Sequence, residues 1–193
     1  MIEPILWGLA LAATAGLRLF MPFLFVGALA RYAGTPTPEL MAWTATDPGF
    51  LLLLIATFVE ILGDKIPAVD HALDAGATFL KPAAGLILPV ALLQDASPMA
   101  AWALGIVAGA PLALGVHTTK AGTRALSSAT TLGTGNPIIS TFEDVLAVLL
   151  LLLTALAPVL AALLVVALIF FVVRALRRMG RLLGRRKAEA PGG

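Results

Sequence analysis

Apolar residues in this chain come in long runs, not in the strict alternation of a half-buried strand or the one-sided stripe of a surface helix. Crossing about 30 Å of hydrocarbon takes around 20 apolar residues in helical form. Residues 4–30 meet that length, interrupted only by Arg18 and Pro22. Residues 49–63 are strongly apolar but short, with Glu60 near their end. Residues 75–94 carry Lys81 and two prolines, whereas 98–116 carry no charge. The last run, 145–173, is uncharged and too long for one untilted crossing. Begun at Ile138 it holds two that meet near Ala157-Pro158, although without the usual polar turn. The pattern predicts an all-α, polytopic helical membrane protein of about six membrane segments, with broken or re-entrant helices.

Composition narrows the class further. Of 193 residues 60% are hydrophobic and only 12% charged, and the mean hydropathy is +0.98. A soluble domain carries about a quarter charged residues, so this chain lacks the polar side chains to cover a water-facing surface. An ordinary soluble enzyme, a disordered chain and a nucleic-acid binder are excluded. The chain has no cysteine, which removes disulfides, thiolate metal sites and a cysteine nucleophile. Its apolar start lacks a basic leader and a small-residue cleavage site, and reads as a segment that stays in the membrane.

The basic pI of 9.4 comes from the end of the chain. Arg174, Arg177, Arg178, Arg181, Arg185, Arg186 and Lys187 face Glu189 alone, while the six remaining basic residues face ten acids. The organisation is therefore a membrane-embedded domain, 1–173, and a basic cytoplasmic tail, 174–193, partly disordered and suited to anionic lipid headgroups at about 1 kcal/mol per basic residue. With six crossings Lys65, Lys81, Lys120 and Arg124 share the side of the tail and only Arg31 lies outside, which is the distribution the positive-inside rule favours; both termini are then cytoplasmic. Six segments also divide three and three as a weak inverted repeat. Ala15-Gly16-Leu17-Arg18 echoes Ala121-Gly122-Thr123-Arg124, and Thr57-Phe58-Val59-Glu60 echoes Thr141-Phe142-Glu143.

Three polar clusters carry the candidate chemistry. Arg18 lies near the middle of the first run, where an arginine costs about 2.5–3.5 kcal/mol even on a mild insertion scale. It is either a cavity-facing cation for an anionic group or a buried structural partner of Glu60 or Glu143. In the second cluster Glu60 and Asp64 are four apart, as are Asp70 and Asp74, so each pair shares a helix face. Such acids exchange protons or bind a coupling cation; the plainer alternative is an interfacial loop neutralised by Lys65 and Lys81, with Pro67 ending the helix. The third cluster runs from His117 through Lys120, Arg124, Ser127, Ser128 and Asn136 to Ser140, Glu143 and Asp144. Its hydroxyls, glycines and two cations suit a re-entrant loop that holds phosphate or another oxyanion, and its end also reads as helix capping. His71 and His117 have no ligand spacing, and the sequence assigns neither a metal nor a cofactor.

These clusters resemble a family of small bacterial membrane proteins known only as a domain of unknown function. The likeness rests on Ala-Gly-Leu-Arg18, Glu60-Ile-Leu-Gly-Asp64-Lys65-Ile-Pro-x-x-Asp70, Lys81-Pro-x-x-Gly85 and the Thr/Ser/Gly run ending at Glu143-Asp144. It covers most of residues 10–150 and implies a multi-pass bacterial inner-membrane protein, without supplying an activity. The residues themselves favour a small transporter or channel. Arg18, Lys120, Arg124, Ser127, Ser128 and Asn136 are the expected binders of an anionic or phosphate-bearing solute or lipid. Glu60, Asp64, Asp70, Asp74, Glu143 and Asp144 are the expected carriers of proton or cation coupling. A membrane enzyme acting on a lipid headgroup and a membrane assembly or scaffold protein are the alternatives, an enzyme being disfavoured by the lack of a nucleophile–base pair. The bilayer is the expected partner and nucleic acid is not; a homo-oligomer is left open.

Overall fold

The computed structural model describes the backbone of residues 2–189, and the side chains in that range except those of 67, 68, 70–75, 172, 175, 176 and 179–189. Among the described residues every regular element is helical. In chain order these are α1 (Ile2–Leu17), α2 (Met21–Ala33), a 3₁₀ segment (Glu39–Ala45), α3 (Asp47–Gly63), α4 (Pro67–Leu93), α5 (Pro98–Leu104), a π-helical turn (Gly105–Gly109), α6 (Ala110–Thr131), α7 (Asn136–Leu156) and α8 (Pro158–Glu189). Among the described residues three stretches are long and apolar enough to cross a membrane: Gly76–Leu93, Pro98–Thr131 and Asn136–Leu156. The 3₁₀ segment and α3, bent by 77° where they meet, make a fourth if they form one span. Ile2–Leu17, Met21–Ala33 and Pro158–Phe171 are apolar but shorter.

The first run divides at Arg18. Pro22 lies in the first turn of α2, where it has no N–H to offer a preceding turn. The chain then folds back: the rings of Trp7 in α1 and Phe25 in α2 lie 6.5 Å apart, and Pro4 and Trp7 share a cavity wall with Val26 and Leu29. α1 and α2 are therefore an antiparallel hairpin, and its turn at 18–20 sits at the far end of α1.

This hairpin changes the direction of everything after it. α3 descends to the level of the turn, α4 returns to bring Leu92 beside Glu3 and Pro4, and α5–α6 descends again. α7 runs antiparallel to α1, placing Leu150 against Ala10 and Ala13, and α8 brings Ala161 and Val165 to the same cluster. The start of α1 thus lies at the opposite end of the bundle from the 64–66 and 132–135 connections and from the end of α8. The expectation of both termini on one side required residues 4–30 to cross once, whereas the chain turns back at 18–20. The break at Ala157-Pro158 falls where the sequence pattern put it, and α8 continues as helix through Glu189, into the stretch read as a tail. Residues 190–193 lie outside the described part.

Small residues let α1 occupy the centre. Ala10, Ala12, Ala13 and Ala15 are fully buried, and α1 packs against α4, α6, α7 and α8. A Cβ on Gly16 would stand 2.6 Å from the Ala113 carbonyl oxygen, and one on Gly8 would stand 2.9 Å from Pro89 Cα. Gly85 of α4 and Gly109 of the π turn meet backbone to backbone in the same way. Without a hydrophobic drive between helices in lipid, close approach through small residues is a main source of association.

Candidate functional site

At the turn of the hairpin the backbone leaves polar groups without helical partners, as any helix end does. Three charged side chains from other helices take them. Both carboxylate oxygens of Glu60, in the last turn of α3, accept from the freed amides, Oε1 from Leu19 N at 2.8 Å and Oε2 from Phe20 N at 3.3 Å. On the other side, the Leu17 carbonyl accepts from Lys81 Nζ at 3.4 Å and from Lys120 Nζ at 3.3 Å. An acid at the N-terminal end of α2 and two amines at the C-terminal end of α1 are also what the helix dipoles favour.

Arg18 lies between those ends with none of its surface exposed. Its guanidinium donates to Asp64 Oδ2, pairs with Asp144 Oδ1 at 2.5 Å, and reaches Ser140 Oγ at 3.1 Å. The same Asp64 oxygen accepts from Lys120 Nζ at 2.7 Å and from Arg124 Nη2 at 2.9 Å. Arg124 in turn donates to Glu143 Oε2 at 2.7 Å, and Lys65 Nζ donates to Asp144 Oδ2 at 2.9 Å. One carboxylate oxygen is the meeting point of three cations, Arg18 from the hairpin turn and Lys120 and Arg124 from α6, at the residue that ends α3. Glu60, Asp64, Lys120, Arg124 and Glu143 are all buried.

Most of the sequence-predicted residues meet here, in pairings that differ from those expected. Arg18 contacts neither Glu60 nor Glu143, because the hairpin amides occupy the first and Arg124 occupies the second. Ser127, Ser128 and Asn136 stand apart, at the α6–α7 turn. There Asn136 Nδ2 donates to Ser128 Oγ at 2.9 Å, and Ser127 Oγ lies 3.4 Å from Thr131 Oγ1. The side chains of Asp70, Asp74 and His71 lie outside the described residues, although their backbone belongs to α4. Pro67 does not end a helix but opens one.

The polar stretch after His117 is not a re-entrant loop; it is α6 continued to Thr131. Its threonines bond to their own helix: Thr119 to Gly115 O, Thr123 to Thr119 O and Thr131 to Ser127 O. Hydroxyls satisfied in this way make a sequence polar without taking it out of the helix. The element that turns back on itself is the α1–α2 hairpin. His117 is buried with Nε2 3.2 Å from Thr78 Oγ1, joining α6 to α4.

Three participants were not among the expected binders or coupling residues: Lys65 and Lys81, read only as neutralising the second cluster, and Ser140. Lys81 had a readable signal, a lone cation inside an apolar run, just as Arg18 did. Ser140 had none, because a serine near a helix start reads first as a cap. Among the described residues no three His, Asp or Glu groups gather to hold a metal ion. Between α3 and α4, which touch only sparsely, a cavity of about 410 Å³ ends at Glu60, Asp64 and Lys81.

The echo between Arg18 and Arg124 gains one point of substance and loses another. Both arginines reach Asp64, but Arg18 sits at a helix break and Arg124 in the body of a continuous helix. The local backbones are not repeats of each other.

No curated protein and no solved structure matches this chain. Residues 5–178 match the family model described as a domain of unknown function, DUF4126, and the chain belongs to that family.

Proposed function

We propose that this protein is a small bacterial inner-membrane transporter or channel-like protein for an anionic or phosphate-bearing solute or lipid, with its C-terminus cytoplasmic. The observation that carries the reading is the helix hairpin broken inside the bundle, with its free backbone ends and Arg18 gathered into a buried network of opposite charges. Discontinuous helices whose ends face charged groups are a recurrent way of building a solute site in secondary transporters. Irregular backbone at membrane depth is tolerated only where protein or a cavity encloses it.

In this reading the network is the closed form of the site. Asp64 occupies, for the three cations Arg18, Lys120 and Arg124, the place of an anion. An arriving oxyanion competes with Asp64 for them, and the displaced carboxylate takes up a proton or a cation. Glu143 and Asp144 hold Arg124 and Arg18 in place meanwhile. With the basic residues near the hairpin turn on the cytoplasmic side, the site faces the cytoplasm.

A second reading, a membrane assembly protein, is favoured by the dense mutual pairing of these buried charges. Flux separates the two. Purified protein in liposomes is loaded with phosphate, sulfate, halides and organic anions in turn, and efflux is followed with Arg124→Lys and Glu143→Gln beside the wild type. Transport of one anion class, slowed at least tenfold in both variants, supports the transporter. Flux unaltered by either variant, or no flux of any anion from a folded protein, removes it and leaves assembly.

A further inference from the structure

The 77° bend between the 3₁₀ segment and α3 leaves two placements for residues 39–45, half of a broken span or an element lying along the membrane surface. Helix lengths locate the bend. Glu60 of α3 meets the amides of Leu19 and Phe20 at the start of α2, and α2 ends thirteen residues after Phe20, at Ala33. Asp47 lies thirteen residues before Glu60 on the antiparallel α3. Both helices therefore rise about 20 Å, at 1.5 Å per residue, and Asp47 stands level with the end of α2. The contacts agree. Arg31 pairs with Asp47 at 2.7 Å and donates to the Ala45 carbonyl at 2.9 Å, and Tyr32 meets the Phe50 ring edge-on at 5.9 Å. The Asp47 side chain is 88% exposed. In the middle of a span that carboxylate would face hydrocarbon, among the costliest places for a charge; at the end of α2 it faces water.

The 3₁₀ segment has three unlike ridges, because side chains at i and i+3 eclipse in such a helix. Met41 and Thr44 are fully buried, and Thr44 rests on α2 where Gly27 leaves no side chain in the way. Leu40 and Trp43, 46% and 44% exposed, form an apolar ridge, with the Trp43 ring 6.3 Å from that of Phe23. Glu39 and Ala42 are exposed on the third. Gly27 is six residues, or about 9 Å, below the end of α2. A surface-lying helix buries its apolar face to a similar depth, about 5–10 Å into the headgroup and acyl boundary. Tyr32, at the end of α2, and Trp102, near the start of α5, are exposed at the same end of the bundle. Tyrosine and tryptophan gather at that level of a membrane. We infer that residues 39–45 lie in the plane of the lipid interface on the side where α1 starts. Leu40 and Trp43 are set among the lipids at the headgroup–acyl boundary, Glu39 is turned to water, and α3 alone carries the chain inward. This surface needs no anion at the Arg18 network, and it stands whether or not the protein transports one.

The chain has no cysteine, so single substitutions can carry a nitroxide in the full-length protein in phosphatidylcholine liposomes. Oxygen concentrates in hydrocarbon and a nickel chelate stays in water, so the ratio of their collision rates with the label reads depth. Phe58→Cys is the reference for the membrane middle, since Phe58 is exposed and lies eleven residues, about 16 Å, along α3 from Asp47. The oxygen-to-nickel ratio should be highest there, intermediate at Leu40→Cys and Trp43→Cys, and lowest at Glu39→Cys and Ala42→Cys. The labels at 40 and 43 should lie about 5–10 Å below the headgroup boundary. Trp43→Cys gives up the contact with Phe23, so a second measurement keeps the tryptophan. In Trp7→Phe/Trp102→Phe it is the sole indole, and lipid brominated near the headgroup should quench it more than lipid brominated near the chain end. A ratio at Leu40→Cys equal to that at Phe58→Cys, or stronger quenching of Trp43 by the deep bromine, would make the bent pair a span and overturn the placement. So would equal ratios on the two exposed ridges, or nickel access at Leu40→Cys as free as at Asp47→Cys. Shielding of both ridges from both reagents would mean that a protein covers the segment, and would overturn it too.

Discussion

Asp64→Asn tests the network at its hub. The substitution keeps the volume of the side chain and removes the negative charge from the oxygen on which Arg18, Lys120 and Arg124 converge. Those cations are almost fully buried, so water cannot replace the lost carboxylate. Removing one partner of a buried ion pair costs about 3–5 kcal/mol, because the other charge is left uncompensated. Here Glu143 still pairs with Arg124 and Asp144 with Arg18, which puts the expected cost at the lower end, about 3 kcal/mol. Equilibrium unfolding in mixed micelles measures it. Lys120→Met removes one cation, and the double variant Asp64→Asn/Lys120→Met should recover part of the loss. A coupling of about 1–3 kcal/mol in the double-mutant cycle is the expected signature of residues sharing one network. If Asp64→Asn unfolds within about 0.5 kcal/mol of the wild type, as an ordinary surface substitution does, or if the cycle closes without coupling, the hub does not exist as described.

Further outcomes follow from other contacts. Glu60→Gln retains one carbonyl acceptor for two hairpin amides, so it should cost about 1–3 kcal/mol in the same unfolding measurement; Glu60→Asp, too short to reach both amides, should not restore it. Gly109→Ala drives a methyl into the Gly85 backbone, and overpacking of this kind costs about 1–3 kcal/mol; a melting temperature unchanged from the wild type would contradict the α4–π-turn contact. The chain has no native cysteine, so topology is open to single-cysteine labelling with a membrane-impermeant maleimide. Glu3→Cys and Thr35→Cys should react from one side and Ser128→Cys from the other; reaction of Glu3→Cys and Ser128→Cys from the same side would sink the hairpin.

Segment location was legible in the chain because apolar length is a local property. Five apolar runs, the last long enough for two segments, are enough to say that helices cross or enter a membrane, and the misplaced arginine at 18 was enough to mark a costly position. Proline and glycine likewise marked the breaks at 18–22 and at Ala157-Pro158. Local reading was misled at 117–131, where hydroxyls bonded within the helix looked like a loop.

Direction and partnership belonged to the tertiary structure. A run with a break in it reads alike whether the chain continues across or turns back, because the pattern of apolar residues is the same; the packing of Phe25 against Trp7 decides it. Among the described side chains, four acids in the same region as five cations admit many pairings of similar Coulomb energy, and sequence spacing ranks none of them. The fold chooses among them by which backbone ends need a partner: Glu60 goes to the hairpin amides, Lys81 and Lys120 go to the Leu17 carbonyl, and Asp64 is left to gather Arg18, Lys120 and Arg124. Charge at membrane depth was written in the sequence; which charge meets which depended on where α1 stops.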